Sequence, residues 1–169
     1  MKHFESGRQL NEKILAGVNK LADAVGATLG PRGRNVILKG NNTKPIITKD
    51  GVTVAKFFDL DDPIENLGVQ VIKQASESTN NSAGDGTTTS TVLSRAILEQ
   101  SQTHLSTNVS PIELKRGIDR AITTIVNELK EKAKPVSTQE EIEQIATISA
   151  NGDKGIGKLI GAAVDQVGK

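Results

Sequence analysis

Apolar residues recur at steps of three and four along six segments of this 169-residue chain, a spacing typical of one face of an α-helix. The first series is Leu10, Ile14, Val18, Leu21, Val25 and Leu29. It stops within 28–34, because Pro31 cannot continue a helix and the glycines around it favour a loop. The spacing therefore predicts a mainly α fold, a bundle of long helices.

The remaining elements follow from similar signals. The Asp62-Pro63 pair starts the second helix, whose inward face is predicted to be Ile64, Leu67, Val71, Ile72 and Ala75. Four more apolar series predict helices through Leu93, Ile122, Ile142 and Ile156, and residues 137–140 have the pattern of a capping box. Two β-type runs, 34–38 and 46–48, predict one small hairpin across 40–45, and segment 52–58 is of ambiguous type.

The run 82–91 joins the second and third predicted helices and carries most of the polar chemistry. Gly84 and Gly86 permit backbone angles that a side chain would forbid. The helix that follows starts with N–H groups lacking intrahelical partners, which favours a bound anion. Asp85 suits such a site only if a divalent cation such as Mg²⁺ separates it from phosphate oxygens. Further hydroxyls come from Thr87, Thr88 and Thr89, so the run predicts a Mg-nucleotide site.

A simpler interpretation of the same run stays open. Asp and Thr are favoured helix N-caps and Gly is common in turns. Against it stands the cost of the threonines, each about 0.5 kcal/mol worse than Ala inside a helix. Local chemistry does not decide between the two interpretations.

Two other loops, 28–31 and 49–51, could meet the same ligand. Taken alone, the first is better explained as a helix stop followed by a turn, and the second as a turn after a strand. Neither a Walker A pattern nor G-x-G-x-x-G occurs, which argues against a P-loop fold and the usual dinucleotide fingerprint. His3 and His104 lack ligand-spaced partners in the sequence, so both are predicted to be surface residues.

Composition argues against nucleic-acid and membrane partners. The 21 basic and 20 acidic residues nearly cancel, and three Phe without Trp or Tyr offer few rings for base stacking. No apolar run is long enough to span a membrane, no signal peptide is visible, and there is no cysteine. We therefore expect a soluble protein of the cytoplasm, or of an organelle matrix or stroma.

Five motifs, in order along nearly the whole chain, resemble those of the group I chaperonins. They are T-L-G-P-R-G-R-N-V at 28–36, I-T-K-D-G-V-T-V-A at 47–55, A-G-D-G-T-T-T at 83–89, K-R-G-I-D at 115–119 and A-T-I-S-A-N at 146–151. Each motif alone is weak evidence. Because all five occur in the family's order, the chain is identified as a member of this family.

The resemblance implies an ATP-driven protein-folding ring and assigns residues to its nucleotide site. The nucleotide and its phosphates would be held by Thr28, Leu29, Gly30 and Pro31, by Lys49 and Gly51, by Asp85, Gly86, Thr87, Thr88 and Thr89, and on the base side by Ile148, Ser149 and Asn151. Asp85 would hold Mg²⁺, while Thr28 and Lys49 would lie near a K⁺ ion. Asp50 would be catalytic, lying beside the γ-phosphate and ordering the attacking water.

By the same resemblance, residues 1–131 would be the N-terminal part of the equatorial, nucleotide-binding domain and 132–169 the start of the intermediate, hinge domain. The apical domain, which binds unfolded clients and a co-chaperonin, would be absent. So would the C-terminal equatorial part, with the family's main water-activating aspartate. The intact subunit would form a homo-oligomeric, heptameric ring. The alternative is a non-catalytic helical assembly fragment, with subunit contacts and no ATP turnover.

Overall fold

The computed structural model describes residues 4–40, 44–107 and 109–168, which contain seven helices and one two-stranded antiparallel sheet. In chain order the elements are α1 (Gly7–Gly26), β1 (Val36–Leu38), β2 (Ile46–Thr48), α2 (Gly51–Phe57), α3 (Pro63–Ala83), α4 (Thr87–Ser106), α5 (Pro111–Lys132), α6 (Gln139–Ser149) and α7 (Lys154–Val167). The predicted mainly α fold with one small hairpin is confirmed. His3 and residues 41–43 of the predicted hairpin connection lie outside the described residues.

The chain divides into two compact units, Met1–Leu114 and Lys115–Lys169. We call them the first and the second unit and describe each by itself. The division falls within α5, whereas the family resemblance implies a domain boundary after residue 131, which stays a prediction.

The core of the first unit is built from four of its elements. Its buried side chains are Val18, Leu21 and Val25 of α1, Leu38 of β1, Val54 and Ala55 of α2, and Val69 and Ile72 of α3. Removal of these apolar surfaces from water supplies the main favourable free energy of this unit. The hairpin contributes through Leu38, which pairs with Ile46 across the sheet.

Helices α1 and α3 approach until their backbones touch, because each has a glycine at the contact. A Cβ on Gly17 would overlap the carbonyl of Glu65, and a Cβ on Gly68 would overlap the carbonyl of Ile14. Protein interiors are packed too densely to absorb such an overlap without moving a helix. The two glycines therefore fix the separation of α1 and α3.

The inward face predicted for α3 is wrong at two positions. Leu67 and Val71 are 52% and 56% exposed, and the buried line along the helix is instead Ile64, Gly68, Val69, Ile72, Lys73 and Ser76. This line includes a glycine, a lysine and a serine, which a hydrophobic pattern does not select. The buried face of α3 is thus set by close packing and hydrogen bonding as well as by apolar area.

The ambiguous segment after β2 forms α2, a helix of seven residues. Asp50 caps it by accepting hydrogen bonds from the amides of Val52 and Thr53. A single carboxylate that satisfies two orphan amides is a strong helix start signal. The D-G pair read from the sequence as a turn is therefore also an N-cap.

Helices α6 and α7 of the second unit pack closely on each other. A Cβ on Gly157 would overlap the Thr147 hydroxyl, and a Cβ on Gly161 would overlap the Glu143 side chain. The capping box of α6 consists of Thr138 and Glu141, one residue later than predicted from the sequence. The predicted helices of this region are otherwise present.

Helix α5 presents an apolar stripe that the described residues do not cover. None of its residues is buried, and Ile122, Ile125 and Leu129 are 48%, 57% and 62% exposed. Within the part of the chain that the structure describes, no helix combines the length and apolar character needed to cross a membrane.

We predict opposite effects for two glycine-to-alanine changes. Gly68→Ala forces a methyl group into the α3–α1 contact and should destabilise the protein by about 1–3 kcal/mol. Gly117→Ala is the matched control, since no described atom beyond its chain neighbours and the adjacent backbone of α5 lies within 4 Å of its Cβ position, and it should stabilise α5 by about 0.5–1 kcal/mol. Urea unfolding followed by circular dichroism measures both. Equal effects of the two changes would contradict the close-packing account.

Candidate functional site

The loop between α3 and α4 reverses the chain within three residues. Gly84 ends α3 with φ 72° and donates its N–H to the Asn80 carbonyl at 2.8 Å, and Gly86 precedes α4 with φ 93°. Both angles lie in the left-handed region that glycine adopts without strain. Asp85 stands between them, exposed, and accepts the Gly86 N–H at 2.6 Å. The sharp reversal places this carboxylate beside the first turn of α4.

The N-terminus of α4 is not capped by a side chain. By contrast, side-chain oxygens cap α2, α3, α6 and α7. The first N–H groups of a helix have no partner within it and carry a partial positive charge. The start of α4 at Thr87, Thr88 and Thr89 is therefore suited to an anion that supplies the missing acceptor oxygens.

Thr87 adds an unsatisfied group at the same place. The residue is 5% exposed, and its Oγ1 is buried without a hydrogen-bond partner among the described residues. A buried polar atom left unpaired costs about 1–3 kcal/mol. Such atoms in a native protein call for an explanation, and a bound ligand or water is one.

Residues from three predicted segments meet at Gly51. A Cβ on Gly51 would overlap the Thr88 hydroxyl and would lie 3.3 Å from Val25 Cγ1. The Thr28 hydroxyl donates to the carbonyl of that same Val25 at 2.7 Å. The end of α1, the start of α2 and the start of α4 are thereby in contact. The sequence could only suggest that these loops converge.

The loop after α1 is tightly closed. The Gly33 N–H donates to the Gly30 carbonyl at 2.9 Å, and the Arg34 N–H donates to the Ala27 carbonyl at 2.8 Å. Leu29 was predicted as the last apolar residue of the helix face, but α1 ends at Gly26 and Leu29 is 48% exposed. Thr28, Leu29, Gly30 and Pro31 therefore form a compact turn at the end of α1, directly after the Val25 contact.

Both carboxylate oxygens of Asp50 accept hydrogen bonds at the start of α2, which makes Asp50 a helix cap. Oδ1 accepts the Val52 N–H at 3.1 Å, while Oδ2 accepts the Thr53 N–H at 2.9 Å and the Thr53 hydroxyl at 2.6 Å. Partial burial acts to raise the pKa of Asp50. The hydrogen bonds from Thr53 and Val52 and the attraction of Lys56 outweigh that effect and lower the pKa below its usual value. Asp50 is thus an ionised, oriented carboxylate, and its catalytic role stays a prediction.

The metal assignments also stay predictions, but the residues constrain them. Among the described residues, no group of three or more His, Cys, Asp or Glu side chains is arranged so that it could hold a metal ion. Mg²⁺ at Asp85 would therefore take most of its ligands from phosphate oxygens and water, as Mg²⁺ commonly does. Lys49 is exposed and carries a positively charged ammonium group, which K⁺ would repel. Only the backbone carbonyl of Lys49 could therefore bind K⁺, together with an oxygen of Thr28.

The three base-side residues belong to the second unit. Ile148 and Ser149 end α6, and Asn151 follows in a left-handed conformation with φ 55°. The Gly152 N–H donates to the Thr147 carbonyl at 2.8 Å and the Asn151 N–H donates to the Ile148 carbonyl at 3.0 Å. These two bonds form a Schellman motif, which explains the unusual angle of Asn151. The contact of these residues with a nucleotide stays a prediction.

Sequence reasoning missed the buried polar residues behind the site. Ser76 and Thr91 are 1% and 0% exposed and share a hydrogen bond of 2.7 Å between α3 and α4. Lys73, 9% exposed, lines a cavity of about 230 Å³ together with Ser76 and Thr87. The available signal was that Thr91 follows Thr87 by four residues, on the same face of α4.

We predict that Gly51→Ala destabilises the protein by driving α2 away from α4, by about 1–3 kcal/mol. The overlap is mainly with the Thr88 hydroxyl. Thr88→Ala in the same chain should therefore recover part of the loss, and the double-mutant cycle should show favourable coupling. Urea unfolding of the four proteins measures it. Strict additivity would contradict the contact between these two residues.

We also predict a specific pH dependence for Asp50. Its pKa in the folded protein is below the unfolded value of about 3.9. Its ionised form therefore contributes stability that is complete above the unfolded pKa and is lost as the pH falls through the folded pKa. The stability difference between the wild type and Asp50→Asn should shrink as the pH falls below the unfolded pKa of about 3.9. A difference that grows in acid would contradict the lowered pKa.

Two solved chaperonin structures share this fold. A group III chaperonin in the open state matches with a TM-score of 0.78 at 23% identity, covering 94% of this chain and 32% of that chain. The chaperonin gp146 from the bacteriophage EL 2 (Pseudomonas aeruginosa), crystallised in the presence of ATP-BeFx, matches with a TM-score of 0.76 at 27% identity, covering 95% and 28%. The chain thus spans about a third of the length of these solved chains.

A family comparison covers most of the sequence. The model of the TCP-1/cpn60 chaperonin family matches residues 21–169. This range contains the loop after α1, the start of α2 and the α3–α4 loop, the three segments that meet in the first unit. The chain therefore belongs to the TCP-1/cpn60 chaperonin family.

Proposed function

We propose that this chain is the nucleotide-binding N-terminal portion of a group I chaperonin subunit and that it binds Mg-ATP in the first unit. One observation carries the proposal: the uncapped start of α4, the start of α2 and the end of α1 are in contact through Gly51, Thr88 and Val25. The motif resemblance supports assignment to group I. The phage relative, whose structure was obtained in the presence of ATP-BeFx, supports a nucleotide ligand.

Different residues of the site would contact different parts of the ligand. The N–H groups of Thr87, Thr88 and Thr89 would donate hydrogen bonds to the phosphate oxygens, and the buried Thr87 hydroxyl would gain the partner that it lacks. Asp85 would hold Mg²⁺, which neutralises phosphate charge when it is bound. The compact loop at 28–31 would line the nucleotide, with K⁺ near Thr28 and Lys49.

Asp50 would orient water beside the γ-phosphate without leaving its capping position. Its lowered pKa keeps it ionised at neutral pH, so its charge and its lone pairs are available to orient a water molecule. The same low pKa makes it a weak proton acceptor, because catalytic bases work best with a pKa near the operating pH. Efficient hydrolysis is therefore proposed to need a further group from the remainder of the subunit.

The function of the whole subunit extends the proposal. Chaperonins of this family form oligomeric rings, and we propose a homo-oligomeric, heptameric one in which nucleotide binding and hydrolysis drive conformational change. Unfolded clients and a co-chaperonin would bind an apical domain that these 169 residues do not include. Residues 132–169 would form the start of the hinge between that domain and the nucleotide site.

A second candidate is a non-catalytic assembly fragment that makes subunit contacts without ATP turnover. The exposed apolar stripe of α5, with Ile122, Ile125 and Leu129, favours it, because such faces mark interaction surfaces. Phosphate release distinguishes the two. The nucleotide-binding portion should hydrolyse ATP when the rest of a chaperonin subunit is supplied in trans, whereas an assembly fragment should not.

We predict that the chain binds ATP in the presence of Mg²⁺ and loses this binding when EDTA removes the metal. Asp85→Ala should weaken Mg-ATP binding on the order of 10- to 100-fold, as when a group supporting a metal site is lost. Asp61→Ala is the matched control, because Asp61 is an exposed carboxylate of the same unit, and it should bind as the wild type does. Calorimetry suits the measurement, since the chain lacks Trp and Tyr as fluorescent reporters.

The outcome that would contradict the proposal is metal-independent ATP binding, or equal affinity for Asp85→Ala and the wild type. Circular dichroism of each variant shows that it is folded before the affinities are compared.

A further inference from the structure

We propose that Ser76 and Thr91 are positioning residues for the phosphate site, acting through a hydrogen-bond relay that ends on the Thr87 carbonyl. The relay sets both the placement and the donor strength of the Thr88 N–H at the start of α4. This inference rests on the proposed function, because it concerns the same phosphate-binding helix start.

The direction of the relay follows from the available donors. Thr91 Oγ1 lies 2.9 Å from the Thr87 carbonyl oxygen, which can only accept, so the Thr91 hydroxyl donates to it. Ser76 Oγ lies 2.7 Å from Thr91 Oγ1. Because a hydroxyl has a single proton, Ser76 must be the donor in that bond. The relay therefore runs from Ser76 through Thr91 to the Thr87 carbonyl.

The last acceptor of the relay belongs to the peptide group that carries the Thr88 N–H. A second hydrogen bond on this carbonyl, besides the regular helical one, draws electron density towards oxygen and leaves the N–H more positive. Successive hydrogen bonds strengthen one another by about 10–30% per bond, and a hydrogen bond is electrostatically stronger where the surroundings are poor in water. Ser76 and Thr91 are 1% and 0% exposed, so the relay is in such surroundings.

A neighbouring pair of hydroxyls, on Thr79 and Ser90, also joins α3 to α4 but has no hydrogen bond to the Thr87 carbonyl. Thr79 Oγ1 lies 3.1 Å from Ser90 Oγ and donates to the Ala75 carbonyl of its own helix at 3.0 Å. Both residues are only partly buried. This pair joins α3 to α4 but does not reach the Thr87–Thr88 peptide group, which makes Ser90 a matched control.

The test compares four variants of the full chain, Ser76→Ala, Thr91→Val, Thr91→Ser and Ser90→Ala. The first two break the relay, the third keeps its hydroxyl, and the fourth leaves it intact. We measure the ¹⁵N and ¹H shifts of the Thr88 amide without ligand, the affinity for Mg-ATP by calorimetry, and the urea unfolding of each protein. A purely structural contribution of Ser76 and Thr91 would not shift the Thr88 amide alone, so this shift tests the relay itself.

Breaking the relay should shift the Thr88 amide upfield and weaken Mg-ATP binding about three- to fivefold, the scale of one modest hydrogen bond. Thr91→Ser and Ser90→Ala should keep the wild-type shift and affinity. An unchanged Thr88 amide in Ser76→Ala overturns the relay, even if Thr91→Val fails to fold. A shifted amide with unchanged Mg-ATP affinity overturns its role at the phosphate site.

Failure of the proposed function gives a different result. If the wild type does not bind Mg-ATP at all, the proposed function is overturned, and with it the role of the relay at the phosphate site. The Thr88 amide shift then still decides whether the relay acts on that peptide group.

Discussion

The contact between the backbones of α1 and α3 is the constraint on which the rest of the first unit depends. Gly17 and Gly68 allow an approach that any side chain would prevent. Since α1 leads into the turn at 28–31 and α3 leads into the glycine loop before α4, their separation decides whether the two loops can serve one ligand. The Ser76–Thr91 hydroxyl pair between α3 and α4 then aligns α4 behind its first turn.

Two helix starts lie together at the site, and they differ in how their amides are satisfied. Asp50 occupies the amides of α2, whereas no side chain caps α4. The first amides of α2 therefore already have acceptor oxygens, whereas no side-chain oxygen accepts from those of α4, so the start of α4 is the one suited to an anion. Asp50 and Asp85 would repel a phosphate placed among them, and a divalent cation resolves that repulsion. The charges of the site thus support the proposed metal dependence.

The sequence predicted the long helices and the hairpin because their apolar periods extend over many residues. It could not assign α2, since seven residues hold too few turns to show a period. It extended α1 to Leu29 because an apolar residue happened to fall in phase beyond the helix end. The shift of the capping box to Thr138 and Glu141 is a similar one-residue ambiguity.

The individual loops of the site could be predicted from the sequence, but the contacts between them could not. The glycine loop before α4 could be recognised in the sequence, because its residue types have known local conformational and hydrogen-bonding preferences. The meeting of Gly51 with Thr88 and Val25 depends on tertiary packing that no local pattern encodes. Ser76 was harder still, because a serine within a polar run is indistinguishable from a solvated one, although it is 1% exposed.

The most direct test of the central claim, that three loops form one nucleotide site, is a titration of the ¹⁵N-labelled chain with Mg-ATP followed by amide shifts. The account predicts that amides in 28–34, in 50–53 and in 86–90 move together and fit a single dissociation constant. Shifts confined to one loop, or different constants for different loops, would contradict it.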